Sequence, residues 1–170
     1  MKALKIILII IGSIVVLLVV LLAVYLLLNR QRVITSSEMG SPAMKQRVLI
    51  ASQGSSFKDA LVESLTTHLK ADSVYIKVID VTGLKDINEA DWNAVVLIHT
   101  TEQWKMPPDV KACLDRAKDL GKVIVLTTSG SGEWKAKGYN VDIITSASKR
   151  EELPVLTKEI ISRLDSILRK

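Results

Sequence analysis

The chain has 170 residues, 48% of them hydrophobic and only 4% aromatic, and a formal net charge of +5 at pH 7. Five basic residues (Lys2, Lys5, Arg30, Arg32, Lys45) and one acid (Glu38) precede Arg47, whereas 18 basic and 17 acidic residues lie from Arg47 onward. The C-terminal part therefore lacks the basic surplus that nucleic acid demands, its one cysteine excludes an intrachain disulfide, and two histidines 31 positions apart make no zinc pattern with it.

Residues 6–28 run 23 positions without a charge, and only Gly12, Ser13 and Tyr25 interrupt an aliphatic and alanine composition. At about 1.5 Å per residue the segment reaches roughly 34 Å, against a hydrocarbon core of about 30 Å. Lipid offers no partner to free backbone N–H and C=O groups, so the segment must be helical there. The reading is a single-pass membrane anchor behind a basic flank at 1–5, with the bilayer as its partner. A secretory signal peptide competes with it, because Lys2 and Lys5 resemble a basic leader. Against that stand an apolar stretch longer than the usual ~7–15 residues and the absence of a small-x-small cleavage site after Leu28, where the chain reads Asn29-Arg30-Gln31-Arg32. Two lysines before the span against Arg30, Arg32, Lys45 and Arg47 after it lean toward a cytoplasmic C-terminal domain.

Residues 29–46, rich in Ser, Gly and small polar groups and without a period, read as a flexible juxtamembrane linker. Residues 47–170 then suffice for one domain with a sizeable core. Strand-like β-branched runs fall at 47–51, 74–80, 94–99, 122–127 and 141–145. Three of them are almost wholly apolar, as interior strands of a parallel sheet are when helices cover both faces. Helical periodicity appears at 57–70, through Phe57, Leu61, Leu65 and Leu69, and at 108–120, through Val110, Cys113, Leu114 and Ala117. Pro107 and Pro108 open the second of these and Gly121 closes it. A last helix is expected over 152–169. Alternating strands and helices with short connections predict right-handed crossovers and a doubly wound α/β sandwich.

Ligands of such sheets bind beyond the carboxyl ends of the strands. The candidate loops are therefore Ser52-Gln53-Gly54-Ser55-Ser56, the segment from Thr100 and Thr101 through Trp104 to Pro108, and Thr128-Ser129-Gly130-Ser131-Gly132-Glu133-Trp134. The first, leading into a helix, offers N–H groups and hydroxyls to a phosphate. The other two each carry a tryptophan.

With these loops the chain resembles the flavodoxin-like family over roughly 47–168. The first loop is similar to that family's Ser/Thr-x-Thr-Gly-x-Thr phosphate cradle, with Ser52, Gly54 and Ser56 as the nearest equivalents. The third-strand segment is similar to its flavin loop, an aromatic followed by Pro-Pro and a helix. The resemblance implies a five-stranded parallel sheet of order 2-1-3-4-5 and FMN as cofactor. It places Trp104 on one face of the isoalloxazine, with Trp134 or Tyr139 near the other. It also implies electron transfer, which the anchor would direct to a membrane redox partner; no residue reads as a catalytic acid, base or nucleophile, and no metal is expected. The chain departs from the family in a phosphate loop about one residue short, in Gln53 where a small hydroxylic residue is usual, and in the lack of room for a full second or fourth helix at 81–93 and 128–140.

Each of these residues also has a purely structural reading. Gly54 and its serines form a tight turn and helix cap, the tryptophans cover loop or sheet edges, His99 is a hydrogen-bonded strand residue, His68 a helix-end surface residue, and Cys113 a buried thiol. There is no Gly-x-Ser-x-Gly elbow, no phosphate-binding Gly-x-x-x-x-Gly-Lys-Ser/Thr, and no acidic cluster of a response-regulator receiver, since Ser52-Gln53 and His99-Thr100 stand in its places. Two functions follow: an FMN electron-transfer module tethered to the membrane, or a cofactor-free flavodoxin-like binding or scaffold module on the same anchor.

Overall fold

The computed structural model describes residues 2–28 and 31–169; Arg30, counted above in the linker, lies outside them, as do Met1, Asn29 and Lys170. The chain divides into two compact units, Met1–Gln31 and Arg32–Lys170.

The first unit is one helix, α1 (Lys2–Leu28). Its segment Lys5–Tyr25 has a mean hydropathy of 3.5 and no buried residue. These 21 residues reach about 32 Å, long and apolar enough to cross a bilayer, and a signal sequence has the same properties. The Ser13 hydroxyl donates to the Ile9 carbonyl at 2.9 Å, so the helix satisfies its own polar side chain.

The second unit opens with a short strand, β1 (Ser37–Met39), followed by β2 (Arg47–Ser52), α2 (Ser56–Lys70), β3 (Tyr75–Asp80), β4 (Ala94–Thr100), α3 (Pro108–Arg116), β5 (Val123–Thr128), β6 (Asp142–Ser146) and α4 (Leu153–Leu168). The spatial order is β1-β3-β2-β4-β5-β6. β2 to β6 are parallel, and among themselves they take the expected order 2-1-3-4-5. The sheet has six strands where five were expected, because β1 adds antiparallel to the open edge of β3, with Glu38 paired to Lys77 at 2.9 Å. Three residues are too few to show a period, and the partner that makes them a strand lies some 40 positions away. The folded unit therefore starts at Arg32, inside the segment read as a flexible linker.

Alternation along the strands sorts the core into two layers. Val48, Ile50, Val96, Ile98, Ile124 and Leu126 pack with Leu61 and Leu65 of α2 and Ile160 and Leu164 of α4. Leu49, Ala51, Val95, Leu97 and Val125 pack with Val110, Cys113 and Leu114 of α3. Cys113 is buried there, and burial pushes its thiol pKa up.

Two 3₁₀ turns, Val81–Asp86 and Glu89–Asp91, replace a helix between β3 and β4, and 129–141 contains none. The helix expected over 108–120 stops at Arg116. Its guanidinium bonds the Leu84 and Ile87 carbonyls, and the next N–H but one, on Lys118, is taken by the Glu89 carboxylate at 2.9 Å. Ala117 is extended (ψ 131°), and Gly121 lies in a separate 3₁₀ turn capped by Asp119.

Candidate functional site

The carboxyl ends of β2, β4, β5 and β6 form one rim, and the ladder continues past the strands. Thr101 N–H donates to the Thr128 carbonyl at 2.9 Å and Ser129 N–H to that of Ser146 at 3.1 Å. Gln53 knits the first loop to β4: its N–H donates to the Ile98 carbonyl at 3.1 Å, and its side-chain oxygen accepts from Thr100 N–H at 2.7 Å. The residue that departs from the family pattern is thus a buried brace. Ser52 is also buried, its hydroxyl turned back onto the Gln53 carbonyl at 3.0 Å. Ser55 caps α2, accepting from Lys58 N–H at 3.3 Å.

Below this loop lies a residue that the sequence reading passed over. Lys58 is 1% exposed, and its ammonium donates to the Thr100 hydroxyl at 2.7 Å, which in turn pairs with the Thr128 hydroxyl at 2.7 Å. Burial lowers its pKa from 10.5 to about 8, against the opposing pull of the Asp59 and Glu102 carboxylates. The signal was present: Lys58 shares a helical stripe with Leu61 and Leu65, at i+3 and i+7. His99 is fully buried with its Nε2 3.1 Å from the Thr127 hydroxyl, and burial lowers its pKa to about 4, so it stays neutral.

Trp104 stands at the tip of a four-residue turn. Glu102 and Lys105 exchange both backbone hydrogen bonds, at 3.0 and 2.9 Å, while Gln103 (φ 50°) and Trp104 (φ 61°) both occupy the left-handed region. This is the mirror-image hairpin turn that ordinarily demands Asn-Gly, and a tryptophan in it is strained. The indole is 74% exposed. The β5–β6 connection brings Trp134 and Tyr139 to the same place. The three aromatics, with Met106 and Pro108, line one cavity of about 440 Å³, and Lys105, Lys111 and Lys137 also border it. Tyr139 is fixed from α3, its hydroxyl donating to Asp115 at 2.6 Å, while Lys111 pairs with the other Asp115 oxygen at 2.6 Å. The Lys111 ammonium, then the Tyr139 hydroxyl, hold the Asp115 carboxyl below its ordinary pKa, and Asp115 raises that of Tyr139.

Of the residues expected at the site, Trp104 and Trp134 meet in this cavity; its lining takes none of Ser52, Gln53, Gly54, Ser55, Ser56, Thr100, Thr101, Thr128, Ser129 and Gly130. Ser52 lines a second hollow, of about 350 Å³, with Ile34, Thr35 and Asp59. Ser129 makes a tight turn, accepting Gly132 N–H at 3.0 Å, and Gly130 has open space where a side chain would stand. Gly54 is covered by the chain itself: its N–H donates to the Arg32 carbonyl at 2.6 Å, and its carbonyl accepts from Arg32 N–H at 2.9 Å. At the opposite end of α2, His68 lies 3.8 Å from Asp72 and 3.6 Å from Asp165, all three partly or fully exposed.

No protein-family model matches the sequence, and neither does any curated protein. Solved structures do match. A flavodoxin from the domain Archaea is 14% identical, with a TM-score of 0.50 over 72% of this chain and 99% of that one. Oxidised flavodoxin 2 from Bacillus cereus is 14% identical, with a TM-score of 0.46 over 71% and 99%. General stress protein 14 from Treponema denticola, in complex with FMN, is 15% identical, with a TM-score of 0.42 over 72% and 99%. At such identities the likeness is one of fold, and the fold of the second unit is flavodoxin-like.

The sequence resemblance carries the expectation of FMN, and the residues of this rim fit the two ends of that group unequally. The aromatic cavity suits a planar ring in size and lining. The Gly54 N–H that a phosphate would use is already bonded to Arg32.

Proposed function

We propose that this chain is a membrane-tethered flavodoxin-like domain that holds the ring of FMN between Trp104 and the Trp134–Tyr139 wall, and passes electrons to or from a partner in the same membrane. The observation that carries the reading is the strained turn that keeps Trp104 exposed beside an aromatic cavity, a conformation that local sequence preference does not explain. Bound flavin would supply the redox chemistry. The protein's residues stack the ring and exclude water from its faces, and three bordering lysines favour an anionic ligand. The α1 helix is the anchor in this reading, and tethering raises the local concentration of the domain at a membrane partner. The charge flanking α1 favours a cytoplasmic domain.

The covered Gly54 favours a second reading, a cofactor-free binding module on the same anchor. Purification of the full chain in detergent, followed by FMN and riboflavin titration read by flavin fluorescence quenching, separates the two. The flavin reading expects a flavin spectrum on the purified protein or saturable quenching. No quenching by either flavin up to about 100 micromolar would end it.

A further inference from the structure

We propose that residues 32–34 are a strap that closes the phosphate end of the site, so that a ligand phosphate and the strap compete for the Gly54 N–H. This rests in part on the flavin reading, because it assigns regulation to that same site.

The strap is seated by four hydrogen bonds to three residues. Arg32 and Gly54 exchange backbone hydrogen bonds at 2.9 and 2.6 Å, the Arg32 guanidinium reaches Asp59 on the first turn of α2 at 2.6 Å, and Ile34 N–H donates to the Asp80 carboxylate at 3.0 Å. Position 54 is made for it. A Cβ there would stand 2.7 Å from the Arg32 carbonyl oxygen and 2.9 Å from Ile34 Cγ2, so only glycine lets the two chains meet. The Arg32 carbonyl oxygen thus sits on an amide of the loop that leads into α2, where a phosphate oxygen would accept.

Little else holds the strap down. Val33 is 76% exposed, the Arg32–Asp59 pair is solvent-exposed on both sides, and the hollow of about 350 Å³ lies between the strap and α2, lined by Ile34, Thr35 and Asp59. Apolar burial is what makes docking of a segment permanent, and here it rests on Ile34, which is partly buried against the core. An exposed ion pair is weak and screened by salt. A phosphate dianion is a stronger acceptor than a neutral carbonyl, so at sufficient concentration it displaces the strap, which returns when the phosphate leaves. With the strap down, the ring cavity on the other side of the rim stays open while the phosphate end is shut. Flavins with and without phosphate then bind alike.

Two variants lift the strap by different means. Arg32→Pro removes the N–H that donates to Gly54. Gly54→Ala places a Cβ against the Arg32 carbonyl, and Gly54 does not have positive φ, so alanine fits its backbone. The full chain, isotope-labelled in detergent micelles, is followed at the backbone amide of position 54 by hydrogen exchange and by its NMR shift on titration with inorganic phosphate. FMN and riboflavin affinities are measured alongside. The wild-type amide is expected to be protected without phosphate and to shift only at phosphate concentrations at least tenfold above those that move it in the variants, with a smaller preference for FMN over riboflavin than in the variants. In either variant it should lose protection and shift with phosphate, and FMN should bind at least tenfold more tightly than riboflavin. A wild-type Gly54 amide that exchanges freely, or that responds to phosphate at the same concentrations as in the variants, overturns the proposal, and so does an unprotected amide in the variants that ignores phosphate. Should riboflavin bind nowhere, the flavin reading fails, and the phosphate titration still decides the strap.

Discussion

Replacing Trp104 by glycine separates a residue held out for contact from one that packs. The indole is 74% exposed, so about a quarter of its surface is covered. On a side chain of about 250 Å² that is some 60 Å², or about 1.5 kcal/mol of apolar burial at about 25 cal/mol per Å². Glycine relieves the left-handed strain at φ 61°, which for an L residue is about 1–2 kcal/mol. The two terms offset, and Trp104→Gly should leave the stability of the domain unchanged to within about 1 kcal/mol. Ring binding should weaken by about 1–3 kcal/mol, or about five- to 150-fold in dissociation constant, while Trp104→Phe, which keeps an aromatic face, retains most of it. Urea unfolding followed through buried Trp92, together with FMN titration, measures both quantities on the same protein. Destabilisation beyond about 2 kcal/mol would make Trp104 a packing residue, and an unchanged flavin affinity would place the ring elsewhere.

Two further predictions concern buried ionisable groups. The folded pKa of Lys58, about 8, lies below its ordinary 10.5, so between those values the unfolded chain binds more protons and stability rises with pH, by up to about 3 kcal/mol. Lys58→Met should flatten that rise in urea unfolding between pH 8 and 10.5; parallel curves for the two proteins would refute the buried-amine account. Glu89 is a carboxylate whose pKa is lowered, first by the Lys118 N–H bonded to it. Its contribution, about 1 kcal/mol, is present above the ordinary carboxylate range and lost as pH falls through the folded value. Glu89→Gln should remove that share of the acid-side loss between pH 5 and 3, and an identical acid limb in both proteins would count against it.

The parts of the fold written within a few residues of one another were legible before any coordinates. The apolar runs of β2, β4 and β5 announced buried parallel strands, and Pro107 and Pro108 marked the start of α3. What escaped depends on partners distant in the chain. β1 is a strand because β3 has an open edge, α3 ends early because Glu89 captures Lys118 N–H, and Gly54 is covered because Arg32 returns to it. Trp104 and Trp134 were picked out as rare aromatics in loops; that a Gln-Trp pair would form a mirror-image turn was hidden, because the residues break the rule by which such turns are recognised.

Broken rules of this kind are not spread evenly over the molecule. Among the described residues, four other than glycine have positive φ: Ser73, Gln103, Trp104 and Ser148. Ser73 lies in the tight connection from α2 to β3, where the chain must turn within a few residues. The other three lie beyond the carboxyl ends of β4 and β6, and Ser148 is pinned there by its N–H to the Ser146 hydroxyl at 2.9 Å. The one ammonium that is almost wholly buried, among the described residues, is on the same rim, bonded to Thr100. Left-handed backbone and a desolvated charge each cost stability, and a sequence under no other demand would shed them by single substitutions. Their concentration at one end of the sheet, where side chains from separate loops converge, favours the site proposed at this rim over packing alone.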